Sequence, residues 1–217
     1  QEQGRQDASL RAWLPPGQPL PVEQALLFTL QIVRGMKYAH EQIRGFVHRD
    51  LKPENILVGA DKLPSLGTNR LRVTDFGLSN ILSVSGISTQ LPDMADASDN
   101  LSRTQLTRGI VGTPPYMAPE QWQAGELGPW TDIYALGCIL HEMLAGERAV
   151  SGHSLKSLQQ AHCAGELNPL PERLPETVQV LVRNCLQLVP EQRYRGWDDL
   201  ERALVETWEG LSGQALP

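Results

Sequence analysis

The sequence predicts a mainly α fold with short β-pairs, and three observations carry that expectation. A long run from Val22 to Gln42 places its apolar residues at helical spacing. The last third of the chain reads as one strongly apolar helix followed by two or three amphipathic ones. Only two short runs, Asn55 to Val58 and Leu71 to Thr74, carry the β-branched pattern of strands. At 217 residues, with 41% hydrophobic and 20% charged content, the chain can bury a proper core as one domain.

Taken in order, Ala8 to Leu14 can form a short helix, which Pro15-Pro16-Gly17 stops. The Pro-rich stretch to Pro21 is expected to be a connector rather than a polyproline ligand, because a long helix follows at once. In that helix Leu26, Leu27, Leu30, Val33, Met36 and Tyr38 mark the core face, and Pro21 sits where a first-turn proline is tolerated. The two β runs form an expected antiparallel pair. Their connector, Gly59 to Arg70, is too long for a tight hairpin and reads as an inserted surface loop. From Ser83 to Thr107 the chain is rich in Ser, Thr, Asp, Asn and Gln, so mobility is expected there. Thr131 or Asp132 can cap the apolar helix that ends at Ala145-Gly146. Helices are expected over Ser154 to Cys163, Pro175 to Leu188 and Trp197 to Trp208. Residues 209–217 read as a tail or linker.

The net charge of −6 argues against nucleic acid as the main partner, since phosphate backbones select basic surfaces. No apolar run reaches the length of a membrane span; the best, Ile133 to Leu144, is interrupted by Gly137, His141 and Glu142. Cys138, Cys163 and Cys185 are widely spaced and lack a C-x-x-C pairing, which fits reduced thiols in a cytoplasmic protein rather than a metal site. The chain starts at Gln1 without a Met, as expected of a cut start.

The chemistry concentrates in Val47-His48-Arg49-Asp50-Leu51-Lys52-Pro53-Glu54-Asn55-Ile56-Leu57-Val58. A loop pinned at both ends by β-type residues can gather Asp50, Lys52 and Asn55 around one small anionic target. The run resembles the protein-kinase catalytic loop, H-R-D-L-x-x-x-N, with the Lys-Pro-Glu insert of the serine/threonine branch. Asp75-Phe76-Gly77, Gly112-Thr113 and Ala118-Pro119-Glu120 follow in the order of that family.

The resemblance implies a role for each matching position. Asp50 orients the substrate hydroxyl and accepts its proton, and Lys52 contacts the γ-phosphate of ATP. Asn55 and Asp75 supply oxygens to Mg²⁺, a cation that prefers such ligands. Leu57 floors the adenine pocket, while His48 and Phe76 are packing positions. Thr113 bonds the catalytic Asp and Lys and favours a Ser/Thr acceptor on a protein substrate. Glu120 and Arg193 form a buried ion pair, and Asp132 bonds the catalytic-loop backbone. Arg49 grips a phosphate on the activation segment, residues 75–120; of Ser102, Thr104 and Thr107, shortly before Gly112, the expected phosphorylated residue is Thr104 or Thr107, each a threonine beside or one step from a basic residue. Without the resemblance, Asp75 would be only a turn aspartate.

No G-x-G-x-x-G follows a strand and no Val-Ala-Ile-Lys precedes Asp50. The expectation is therefore the large lobe alone, over residues 1–208, of the two-lobed α+β kinase fold. On this expectation the small lobe is absent, should precede the chain in cis, and leaves an inactive fragment. A pseudokinase-like docking module is the rival reading.

Overall fold

The computed structural model describes residues 8–76 and 112–216. Its centre is a pair of helices, α1 (Val22–Gln42) and α3 (Pro129–Ala145). The apolar face of α1 buries Leu26, Phe28, Leu30, Ile32, Val33 and Met36. Almost every residue of α3 is buried, so its hydrophobicity all round has its physical reason in a central position. Pro129 opens α3, and Gly146 closes it in the left-handed conformation (φ 76°). A Cβ at Gly146 would lie 2.9 Å from the backbone nitrogen of Gln18, which leaves room only for glycine. Here the proline-rich connector is stitched to the helix end: Gly17 N–H donates to Gly146 O at 2.8 Å, and Leu20 N–H to Met143 O at 2.7 Å.

Around this pair lie α2 (Pro119–Trp122), α4 (Leu155–Ala164), α5 (Glu176–Cys185) and α6 (Trp197–Ser212). Ser154 caps α4 by accepting from Ser157 N–H at 3.1 Å. The predicted helices of this third are all present, with shifted ends. Thus α5 is shorter at both ends, and α6 runs four residues past Trp208 to its Gly213 cap.

Beside α1 sits a three-stranded antiparallel sheet ordered β1 (Ala8–Ser9), β2 (Ile56–Leu63), β3 (Thr68–Val73). Ala8 pairs with Val58, and Ile56 with Val73. The carboxamide of Gln31 on α1 fastens β3, donating to Asn69 O and accepting from Leu71 N–H, both at 2.9 Å.

Two expectations are corrected here. Ala8 to Leu14 is not a helix: Ala8 and Ser9 add a strand to the sheet, and Leu10–Trp13 form a 3₁₀ turn. Leu10, Trp13 and Leu14 are buried, with the Trp13 ring edge-on to Phe28 at 5.8 Å, so tertiary burial decides this segment over helix propensity. Nor is Gly59 to Arg70 a surface loop. Both strands extend into it and turn over residues 64–67, with a register shift between Val58 and Lys62 that accommodates the polar stretch.

Candidate active site

The 3₁₀ turn Pro53–Asn55 and the start of β2 hold one end of the catalytic-loop sequence, and α3 holds the other. Buried Asp132, in the first turn of α3, accepts His48 N–H at 2.7 Å on Oδ2 and Arg49 N–H at 2.9 Å on Oδ1. Burial pushes this carboxyl up to about 6, against the pull of the two amides. Arg49 is thereby held in the left-handed region at φ 68°, a costly conformation for a residue with a side chain. The turn presents Asp50, whose side chain keeps 27% of its surface accessible.

Three functional groups meet around Asp50. Thr113 Oγ1 donates to Asp50 Oδ1 at 2.6 Å, and Lys52 Nζ lies 3.0 Å from Asp50 Oδ2. Lys52 Nζ also donates to Thr113 Oγ1 at 2.8 Å, closing a triangle. Asn55 Nδ2 donates to Asp50 O at 2.9 Å, which turns its Oδ1 to the opposite side. Thr74 N–H donates to Asn55 O at 2.8 Å, so the chain enters Asp75 from beside Asn55. Asp75 is exposed and left-handed at φ 62°. An amide oxygen and an exposed carboxylate fit a hard cation such as Mg²⁺ by donor chemistry. Among the described residues no group of three or more His, Cys, Asp or Glu could hold a metal.

The remaining expected positions divide. His48 Nε2 lies 2.9 Å from Thr74 O, and its ring packs with Phe46 and Phe76, each pair between 5.7 and 6.4 Å. Leu57 is exposed, on β2. Glu120 and Arg193 meet in the interior, with Arg193 Nη1 and Nη2 at 2.8 and 2.9 Å from the two carboxylate oxygens. Gly77, Thr104 and Thr107 lie outside the described residues, as does the stretch 83–107 expected to be mobile.

Sequence reasoning missed a second polar cluster beside the site. Arg11 Nη1 and Nη2 donate to the two carboxylate oxygens of Glu142 at 2.7 and 3.1 Å, and Arg11 Nε donates to Glu54 at 2.9 Å. Tyr116 OH donates to Glu142 Oε2 at 2.7 Å and itself accepts from Arg11. Burial and the Glu142 carboxylate hold the Tyr116 phenol well above its ordinary value. Nothing in the sequence near Arg11 signals this, because its partners lie up to 131 residues away. Gln121 and His162 were missed for the same reason.

The protein kinase domain model matches residues 4–208. The chain belongs to the eukaryotic-like serine/threonine protein kinase family. The serine/threonine-protein kinase PknB of Mycobacterium leprae is 28% identical over 211 residues, covering 96% of this chain and 30% of that protein. Serine/threonine-protein kinase PkaB of Streptomyces coelicolor is 32% identical, covering 95% of this chain and 45% of the relative. Serine/threonine-protein kinase A of Synechocystis is 32% identical, covering 86% and 34%. The chain thus spans about a third to a half of the length of these curated relatives.

The match corrects the reading of a large lobe with its small lobe absent. The protein kinase domain model matches residues 4–208, and the Mycobacterium leprae kinase aligns across 96% of the chain, so the match is to the kinase domain and not to one lobe of it. The lack of a glycine-rich motif is not the lack of a lobe, and residues 8–14 are not the short helix their propensity predicts. They instead form β1 and a buried turn, integral to a sheet-plus-helix kinase domain. No described helix is long and apolar enough to cross a membrane.

Proposed function

We propose that the chain transfers the γ-phosphoryl group of ATP, with Mg²⁺, to Ser or Thr hydroxyls of protein substrates in the cytoplasm. The observation that carries this reading is the Asp50–Thr113–Lys52 triangle, in which a partly open carboxylate is aimed by a hydroxyl and a cation. Asp50 positions the acceptor hydroxyl and takes its proton as the new O–P bond forms and the bond to the ADP oxygen breaks. Lys52 faces the transferred group, and Thr113 keeps both side chains in register. Asn55 Oδ1 and the Asp75 carboxylate are the oxygens that would hold Mg²⁺, which when bound neutralises charge on the phosphoryl oxygens. Leu57 offers an exposed apolar surface for the adenine. A phosphate on Thr104 or Thr107, gripped by Arg49, is the proposed activating switch, checked by mass spectrometry after autophosphorylation.

The sequence has no match to the glycine-rich phosphate cover or the Val-Ala-Ile-Lys strand. Turnover of the chain by itself is therefore expected well below about 1 s⁻¹, the low end for kinases. The test is incubation with radiolabelled ATP, Mg²⁺ and a generic Ser/Thr peptide. Slow transfer that Asp50→Asn abolishes, with nucleotide binding retained, is expected. Asp75→Asn should additionally weaken Mg²⁺-dependent nucleotide binding. Transfer equal in the wild type and Asp50→Asn, or none in either, would refute the reading; the second result would favour a protein-docking module.

A further inference from the structure

Two segments remote from each other in sequence, the Arg49 turn and residues 112–118, converge on one side chain, the buried carboxamide of Gln121 on α2. Its Oε1 accepts Ala118 N–H at 2.9 Å, at the end of the segment that follows Thr113. Its Nε2 donates to Arg49 O at 2.8 Å, across 72 residues. Chemistry settles the amide orientation, since an N–H donor needs the oxygen and a carbonyl needs the nitrogen; a flip would break both bonds. Gly112 passes directly over the junction at φ 151°. A Cβ there would lie 3.1 Å from Gln121 Nε2 and 3.3 Å from Arg49 O.

Arg49 precedes Asp50, and the peptide plane between them carries the Arg49 carbonyl and the Asp50 N–H. The Arg49 N–H, on the plane before it, is fixed by Asp132, so the two planes on either side of this left-handed residue are held by different partners. Gln121 takes up the carbonyl. The same amide holds Ala118, so the placement of Asp50 depends on the placement of the segment that carries Thr113.

We propose that Gln121 is a positioning residue for phosphoryl transfer: its carboxamide couples the 112–118 segment to the Arg49 carbonyl and so sets the direction of Asp50. The coupling predicts a loss in kcat rather than in nucleotide affinity, because Gln121 acts through Asp50. The inference rests on the phosphoryl-transfer reading for its kinetic readout, while amide exchange tests the clamp without it.

The decisive variant is Gln121→Glu, nearly isosteric, whose carboxylate still accepts from Ala118 but cannot donate to Arg49 O. At pH 7.5 its kcat should fall about tenfold or more, the size of one hydrogen bond on a strained loop, with the KM for ATP unchanged. The introduced carboxylate is buried, and the charged groups bonded to or next in sequence to the residues it touches are Arg49 itself, Asp132 on the Arg49 N–H, Asp50 with Lys52, and the Glu120–Arg193 pair. Burial raises its pKa, so lowering the pH restores an O–H donor to Arg49 O. The ratio of variant to wild-type kcat should therefore climb as pH falls from 7.5 to 5.5, which lost packing would not produce. Gln121→Leu should show a lower ratio that does not climb. In hydrogen exchange, Gln121→Glu should expose the His48 and Arg49 amides while Ala118 stays protected; Gln121→Leu should expose all three. A kcat within about twofold of wild type, or a ratio flat with pH, overturns the coupling. If the wild type transfers no phosphate, the functional reading falls, and unchanged exchange at His48 and Arg49 would overturn the clamp by itself.

Discussion

Removing the charge of Glu120 tests the energetic core of the fold. Arg193 is fully buried and Glu120 keeps 8% of its side-chain surface, so neither charge has water to fall back on. Every Arg193 nitrogen is occupied. Beyond the two bonds to Glu120, Nη1 donates to Trp130 O at 3.0 Å, Nη2 to Leu188 O at 3.1 Å and Nε to Gln187 O at 2.8 Å. The guanidinium also lies 4.8 Å from the Tyr134 ring centre, and Thr131 Oγ1 donates to Glu120 Oε1 at 2.9 Å. A surface pair is worth about 0–1 kcal/mol, whereas stripping one partner from a buried pair costs about 3–5 kcal/mol. Burial selects the second figure for Glu120→Gln, which strands the Arg193 charge and turns an amide N–H toward it. For a domain of this size each kcal/mol moves Tm by about 2–4 °C, so a drop of roughly 6–20 °C is expected. Urea unfolding should show a lower midpoint with an unchanged slope. The control is Arg183→Ala at the exposed Arg183–Glu176 pair, expected to cost no more than about 1 kcal/mol. A Glu120→Gln cost below about 1 kcal/mol, equal to the control, would refute the assignment of a buried anchoring pair.

Two other tests bear on the site. Thr113→Val removes the hydroxyl between Asp50 and Lys52; kcat should fall about tenfold to a hundredfold while Tm moves little, and an unchanged kcat would remove Thr113 from the site. The second is a pair of opposite pH slopes. Burial lowers the His162 pKa from 6.5 to about 4, so its contribution to stability is present above 6.5 and lost as pH falls toward 4. Burial raises Asp132 from 3.8 to about 6, so its contribution is present below 3.8 and lost as pH rises through 6. Each amounts to about 3 kcal/mol over its window. Relative to wild type, His162→Gln should gain stability on acidification from pH 6.5 to 4, and Asp132→Asn should lose it. Variants whose urea midpoints track wild type across that range would show that neither group titrates with folding.

The helices were legible because burial and period coincide in them. In α1 the predicted core positions recur at helical spacing and are buried except Tyr38, which the same period placed on the core face but which is exposed near the helix end; α3 is apolar on every side apart from Thr131, Asp132, His141 and Glu142. The sheet was legible only where strand chemistry is strong. Asn55 to Val58 and Leu71 to Thr74 stood out, while Asp61, Lys62, Asn69 and Arg70 are polar and exposed or half-buried, and the hairpin is extended there by backbone pairing, the Asp61–Arg70 ion pair and the Asn69 amide on Gly59 O. Ala8 and Ser9 are strand residues only because β2 offers them an edge, which no local signal near them announces.

The site divides along the same line. Asp50, Lys52 and Asn55 lie within six positions and share a loop, so their convergence follows from local chain geometry. Thr113, Asp132 and Arg193 were reached through the family resemblance, and their distances to Asp50, His48 and Glu120 bear on packing that spacing cannot encode. Arg11, Gln121 and His162 belong to neither class. Each is an ordinary polar residue whose partner is a backbone group or a side chain on another element. A buried polar group must be satisfied, so once the fold fixes which of them are inside, their partners are constrained to whatever donor or acceptor lies within reach. His162 shows the constraint left incomplete: its Nδ1 meets Tyr134 OH at 2.9 Å, while its Nε2 is buried without a hydrogen bond. The neutral ring is the form such a pocket tolerates, and that is the physical origin of its depressed pKa.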